Sequence, residues 1–384
     1  MATNVYGTGL NSTAGANTIT HYYDRAGIKA ANRMNVFGQW ADRKSMPTKM
    51  GKTYKISRFE HMYDRSTGDA DFAEKGFMTA RTADEVSLAL TNAGLAEGAG
   101  AVNKRSLQKV TFETSIARYG EMLDYTDEVD IFSEDYIQVK YREELGELAN
   151  SRQEDLVQLD MLGTGTVIYS GDATAMSDIG GTAGEDYKVS YDLIRKGVRK
   201  LVRNRAKKNT SIVTGSTKIG TTPIAKAFYA IIGADVKADL ESLVRGTVSA
   251  NGMTEFVYTP AHKYAAAGTL ADGEVGSMHE VRFVEAESMV TYAGEGAAVS
   301  TDNAGLANDG TNVTVYPILF PTEGAFATVG LKGHEKIKFN SKSPSQVENG
   351  NPYGTTGFFS YNFFYAGIIL REEALLKMLV AAGE

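Results

Sequence analysis

The chain has no cysteine. Disulfides, thiolate nucleophiles and cysteine-ligated metal sites are excluded together, so a durable particle built from it must rely on burial and on the number of its contacts. Proline is scarce, 7 residues against 40 glycines, which favours turns and close backbone approaches over stiff proline linkers. No apolar run approaches the roughly 18 to 20 residues needed to cross a bilayer. A surplus of positive charge is missing as well. The net charge of −7 argues against a dedicated nucleic-acid binder, whose affinity comes from a cationic surface that neutralises phosphates. Residues 1–17 are polar and rich in Gly, Thr and Asn, without the basic and apolar regions of a signal peptide; the expectation is a protein made and used in a cytoplasm.

Catalytic signatures are absent too. Of the five histidines, His279 begins a His279-Glu280 pair like that of zinc proteases, but Phe283 stands where the second histidine ligand belongs. No phosphate-binding loop occurs. Gly98-Ala99-Gly100 and Gly294-Glu295-Gly296 lack the third glycine of a dinucleotide fingerprint and read as loops. Gly215-Ser216 is not part of a nucleophile elbow. Asp124, Asp127, Glu128, Asp130, Glu134 and Asp135 form an acidic run without the alternating ligands and central glycine of a calcium loop. It reads as a solvated edge or a salt-bridge surface between subunits. No catalytic residue, cofactor or metal ligand is expected.

What is present is a globular composition: 384 residues, 42% hydrophobic and 23% charged, enough for two or three domains with cores of their own. Residues 1–18 read as an arm. Apolar residues from Tyr23 to Trp40 recur at helical spacing, predicting a helix from Thr20 to about Lys44 that stops before Pro47. Residues 51–59 and 110–116 alternate as strands. The fifty or so residues between them are polar and poor in large apolar side chains, too long a connection for a compact interior. The pair therefore reads as a projecting hairpin-like arm that needs a partner surface. Ser133 to Leu162 is the strongest helix, with Ser133 as N-cap and Glu134 and Asp135 in its first turn. Ile137, Tyr141, Leu145, Leu148, Leu156, Leu159 and Leu162 form its apolar stripe, interrupted by Arg152. About 30 residues would span roughly 45 Å; without sustained heptads, a helix lying across a sheet is preferred to a coiled coil.

After a turn-rich stretch from Gly163 to Gly184, a second amphipathic helix is predicted from Tyr191 to Lys208. Its apolar face is Ile194, Val198, Leu201 and Val202; its other face carries Arg195, Lys196, Arg199, Lys200, Arg203, Arg205, Lys207 and Lys208. Three readings of that basic face stay open: a solvated surface, a partner for a neighbour's acidic surface, or a sequence-independent contact with DNA phosphates. Beyond it, a short helical pattern over Ile224–Ile232 precedes strands at Phe256–Tyr258, Val281–Val284 and Val313–Leu319, with a small-residue loop at Asn303–Thr311. Strand-like alternation returns from Phe359 to Tyr365. A charged turn Arg371-Glu372-Glu373 and an apolar run Leu376–Val380 follow.

Several short stretches in this order resemble one family. Ser45-Met46-Pro47 then Gly51-Lys52, Ala96-Glu97-Gly98, Tyr119-Gly120, and Asp124-Tyr125-Thr126-Asp127 come first. Gly273-Glu274-Val275-Gly276 with Val281–Val284, Val315-Tyr316-Pro317 and Gly324–Ala327 follow, then Asn351–Gly354 and Ala366–Arg371. Each is weak alone; their collinearity over residues 20–380 resembles the major capsid proteins of N-four-like tailed bacteriophages (podoviruses), built on the Hong Kong 97 capsid fold.

The resemblance implies an α+β chain with an N-terminal arm (1–50) and an extended loop (51–105). It further implies a peripheral domain with a spine helix (106–164, helix 133–162), an axial domain (165–330) and closing peripheral strands (331–384). It implies no enzyme but a structural protein that self-assembles into hexamers and pentamers, forming an icosahedral shell around double-stranded DNA. That shell would form in the host bacterial cytoplasm, in the virion rather than in any membrane. Its partners would be copies of itself, a portal protein at one vertex, DNA held non-specifically, and separate scaffolding or decoration proteins, since fewer than about fifty residues precede the loop. Tyr54, Ile56 and Phe59 at the loop base and Ile137, Tyr141 and Leu145 on the spine helix are the expected contacts between subunits. Arg195, Arg199, Lys200 and Arg203 are expected to face a neighbour or DNA. No motif here identifies the residues that crosslink some relatives. The rival readings are an encapsulin-like nanocompartment shell of the same fold, a tail or decoration protein, and a metal-dependent enzyme using the Asp124–Asp135 cluster.

Overall fold

A computed structural model of the chain describes residues 36–59, 82–95, 97–98, 107, 109–132, 137–210, 225–243, 258–264, 270–347 and 350–383. The expected arm and most of the Thr20–Lys44 helix lie outside these residues, as do Ser133, Glu134, Asp135 and Phe256. Two mixed sheets and a separate two-stranded ribbon make up the β structure.

The first sheet is built around the long strand β13 (Thr356–Ile369). Its alternation places Phe359, Tyr361, Phe363 and Tyr365 on one buried face. β13 pairs antiparallel with β4 (Ala117–Thr126), β12 (Lys338–Lys342) and β11 (Phe326–Leu331), and β11 takes on β1 (Asp42–Met46) in parallel. Residues 42–46 therefore do not continue a helix. Their sequence DRKSM has no strand pattern of its own; register with Ala327–Leu331 sets it.

The helix α3 (Ile137–Leu162) lies on the aromatic face of β13. At 1.5 Å per residue its 26 residues span about 39 Å. Leu145, Ala149, Val157, Met161 and Leu162 are its buried apolar side chains. Leu159, expected in the stripe, is 56% exposed, whereas Glu154 and Gln158 are buried. Glu154 earns that position by accepting the backbone N–H groups of Phe37 and Gly38, which fastens the turn Phe37–Trp40 to the helix. Trp40 then packs on Tyr229, centroids 4.1 Å apart.

The second sheet runs β5 (Val167–Tyr169), β14 (Leu376–Val380), β10 (Tyr316–Phe320), β6 (Phe228–Ile232), β9 (Val281–Glu285), β8 (Glu274–Met278) and β7 (Thr259–Pro260). Every residue of β6 and β10 is buried. Of the helix expected over 224–232, residue 224 lies outside the described residues and Phe228–Ile232 form a central strand: a short apolar run bordered by Gly233 fits either element, and burial on both faces selects the strand. α4 (Tyr191–Arg203) and α5 (Ala234–Glu241) cover one face through Ile194, Val198, Leu201, Val236 and Leu240. At this contact Gly197 faces the side chains of Met378 and Leu376.

β11 belongs to the first sheet, and β14 pairs with β10 and β5 in the second. The chain end thereby ties the two halves together. Around it, Thr164 Oγ1 donates to Leu375 O at 2.7 Å and Lys377 Nζ to Leu162 O at 2.8 Å.

Candidate assembly surfaces

β2 (Thr53–Phe59) and β3 (Lys109–Ser115) form the predicted antiparallel hairpin, with Tyr54 opposite Thr114 and Ile56 opposite Phe112. Between them lies a helix, α1 (Ala83–Ala93), in the stretch whose polar composition predicts no element of its own. One hairpin face, Tyr54, Ile56 and Phe112, rests on Met46, Val329 and Ile368 of the first sheet and on Ile116 between β3 and β4, on the side away from α3. The hairpin base is pinned further. Thr114 Oγ1 donates to Gly367 O at 3.0 Å, and Arg58 lies over the Phe112 ring while its guanidinium meets Glu373 at 3.0 Å. Arg371 reaches the same buried carboxylate at 3.3 Å. On the outer face, Lys55 and Glu113 pair across the strands at 2.8 Å, and this pairing holds the exposed Glu113 carboxyl below the usual carboxylate range.

The expected contact residues therefore part company. Tyr54 and Ile56 are half-buried on the chain's own sheet, and only Phe59 of the three is exposed, at 62%. Leu145 is buried in this chain's core, so its side chain is not free for a neighbour. Tyr141 is half-buried, its ring 6.1 Å from that of Tyr125. The side chain of Ile137 lies outside the described residues.

A second surface escaped the sequence reading. β4 hydrogen-bonds only to β13 among the described strands and is exposed along most of its ten residues. It carries Met122 and Leu123, and the short helix α2 (Asp127–Phe132) that follows adds Ile131 and Phe132, the latter 81% exposed. A long apolar edge strand is a template for association, and soluble proteins usually block such an edge. The signal was legible as apolar pairs, Met122-Leu123 and Ile131-Phe132, inside an acidic stretch. Of the acidic run, Asp130, Glu134 and Asp135 have side chains outside the described residues; among the described residues no group of three or more His, Asp or Glu side chains is placed to hold an ion.

The basic helix is real but shorter than expected. Ser190 Oγ caps it by accepting Leu193 N–H at 3.2 Å, and Lys200 and Arg203 sit in the last turn where the helix dipole favours cations. It ends at Arg203 because Arg205 takes a left-handed backbone (φ 56°), with Arg205 N–H bonded to Val202 O and Ala206 N–H to Leu201 O. This is the paired closure that stops a helix, with arginine in the usual place of glycine. Val202, expected on the apolar face, is 53% exposed, and Lys200 is drawn inward to donate to Val167 O at 3.1 Å. Arg195, Lys196, Arg199 and Arg203 are exposed.

The structure resembles those of phage capsids. It superposes on the capsid protein of Ralstonia phage GP4 with TM-score 0.59 at 11% identity, covering 98% of this chain and 99% of that one. Against the Cyanophage Pam1 capsid the TM-score is 0.54 at 12% identity, with both chains fully covered. The chain has the Hong Kong 97-type capsid fold. In sequence, it is 29% identical over 387 residues to the major capsid protein of Pseudomonas phage KPP21, covering 96% of this chain and 94% of that protein. No protein-family model matches.

Proposed function

We propose that the chain is a phage major capsid protein whose copies form hexamers and pentamers and close an icosahedral shell around double-stranded DNA. The observation that carries the proposal is an asymmetry within one fold. A body with two well-buried sheets extends a two-stranded hairpin and, among the described residues, leaves the ten-residue strand β4 at a sheet edge with Tyr119, Met122 and Leu123 exposed. Both expose apolar side chains, Phe59 on the hairpin and Met122 on the edge strand, that nothing among the described residues covers, and both suit attachment to another copy. Closed shells need contacts that are individually modest and collectively strong, so that misplaced subunits can leave. In this reading the hairpin reaches over an adjacent subunit beyond Phe59, while Tyr54, Ile56 and the Arg58–Glu373 pair set the angle at which it leaves the body. A portal protein at one vertex and separate scaffolding or decoration proteins complete the assembly, which takes place in the host bacterial cytoplasm. The sequence motifs favour the N-four-like group among phages.

Deleting residues 65–100 tests the proposal. The truncated chain is expected to fold, with the native melting transition, and to form no closed shells by electron microscopy. Shells of normal size from the truncated chain would overturn it.

A further inference from the structure

The helix α4 presents a ridge of cations whose ion pairing among the described residues is limited to Arg195 with the exposed Asp192. Arg195, Arg199 and Arg203 stand four residues apart, so they share one side of the helix and climb it in steps of about 6 Å. Lys196 flanks them. Arg195 meets Asp192 at 3.2 Å, an exposed pair of little energetic weight. Lys196, Arg199 and Arg203 form no ion pair among the described residues. This contrasts with Lys208, which pairs with Glu280 at 2.7 Å, and with Lys200, which is tied to Val167 O. The ridge cannot turn inward, because Leu193, Ile194, Val198 and Leu201 hold the opposite side of the helix on the second sheet. In a chain of net charge −7 this concentration is exceptional.

We propose that this ridge is a contact surface for the phosphate backbone of double-stranded DNA, bound without regard to sequence. The proposal rests on the shell reading and names the part of the subunit that meets the contents. Charge complementarity selects the occupant. The cations form an open line on a rigid helix, which matches a continuous polyanion. Among the described residues they are not gathered round a buried polar group, as recognition of base edges or of a single carboxylate would require. A few such contacts per subunit are each weak, so DNA is confined yet free to leave.

The test uses the full-length, unassembled chain and a 30-base-pair duplex of mixed sequence, with binding followed by fluorescence anisotropy across a salt series. The variant K196Q/R199Q/R203Q is expected to bind at least 10-fold more weakly at low salt. Its log–log salt slope should be shallower by about 3, one counterion per lost contact. The control K336Q/K338Q, on exposed lysines of the first sheet, is expected to keep the native affinity and slope. An unchanged affinity and slope in the triple variant, or no binding by the native chain, overturns the proposal. So does a triple variant that keeps DNA binding but cannot close shells, an outcome that would give the ridge to a neighbouring subunit. Whether the native chain forms shells is read separately by electron microscopy, so failure of the shell reading and failure of the DNA contact are distinct results.

Discussion

The second sheet and the β2–β3 hairpin obey opposite rules in one chain. In the sheet, β6 and β10 bury every side chain, and Phe228, Phe283 and Phe320 are fully enclosed. In the hairpin, one face is half-buried and the other fully exposed, and each strand keeps an outer edge unpaired among the described strands. A two-stranded ribbon is marginal in water, so the hairpin borrows its order from what it touches. At its base that is the first sheet. Farther out, in the shell reading, it is another subunit. In the shell reading this difference assigns subunit stability to the buried sheet and shell contacts to the outer hairpin, and mutations should sort accordingly.

The largest effect on the isolated subunit should come from the buried sheet. Phe320→Ala is expected to cost about 3–5 kcal/mol, read by chemical denaturation, because it empties a fully enclosed site. The same measurement on Phe59→Ala should show almost no loss, while shell yield falls. A comparable loss of subunit stability in both variants would erase the distinction.

The joint between the two regions should give an intermediate effect. Glu373→Gln weakens the carboxylate that Arg58 and Arg371 share and should cost about 1.5–3 kcal/mol. Arg58→Ala should cost the subunit less and shell closure more, since Arg371 still satisfies Glu373 while the hairpin loses its anchor.

The smallest effect concerns pH. Burial raises the Asp160 carboxyl above its ordinary value of 3.8, partly offset by the hydrogen bond it accepts from the Tyr365 hydroxyl at 2.8 Å. A raised carboxyl pKa means that the folded state holds its proton more tightly than the unfolded one. The subunit therefore loses stability as pH rises from about 4 through the raised value. Asp160→Asn should remove that slope and keep the bond from Tyr365. A denaturation series from pH 4 to 7 whose slope is the same in both proteins would contradict this.

Local patterns were enough to find the hairpin strands, β13, α3 and the basic helix, although in both helices the apolar stripe matches the buried face only in part. They failed where partners far along the chain decide. The polar strand β1 exists only through its register with β11, and Phe228–Ile232 is an apolar run that reads as helix until both its faces are known to be covered. β14 joins the second sheet through pairings with β5 and β10, which no local signal encodes. Exposure misled in the same way. Val202 and Leu159 are apolar but face outward, while Glu154 is charged yet buried because it caps the Phe37–Trp40 turn. The candidate surfaces were legible as chemistry, basic ridge and acidic–apolar edge, but not as geometry.

Hydrogen exchange on the full-length chain, unassembled and in shells, tests the division of labour most directly. Amides of β6, β10 and β14 should be strongly protected in both forms. Those of β2 and β3 near Phe59 should exchange rapidly in the free subunit and become protected by at least 10-fold in the shell. Equal protection of the hairpin in both forms would contradict the account.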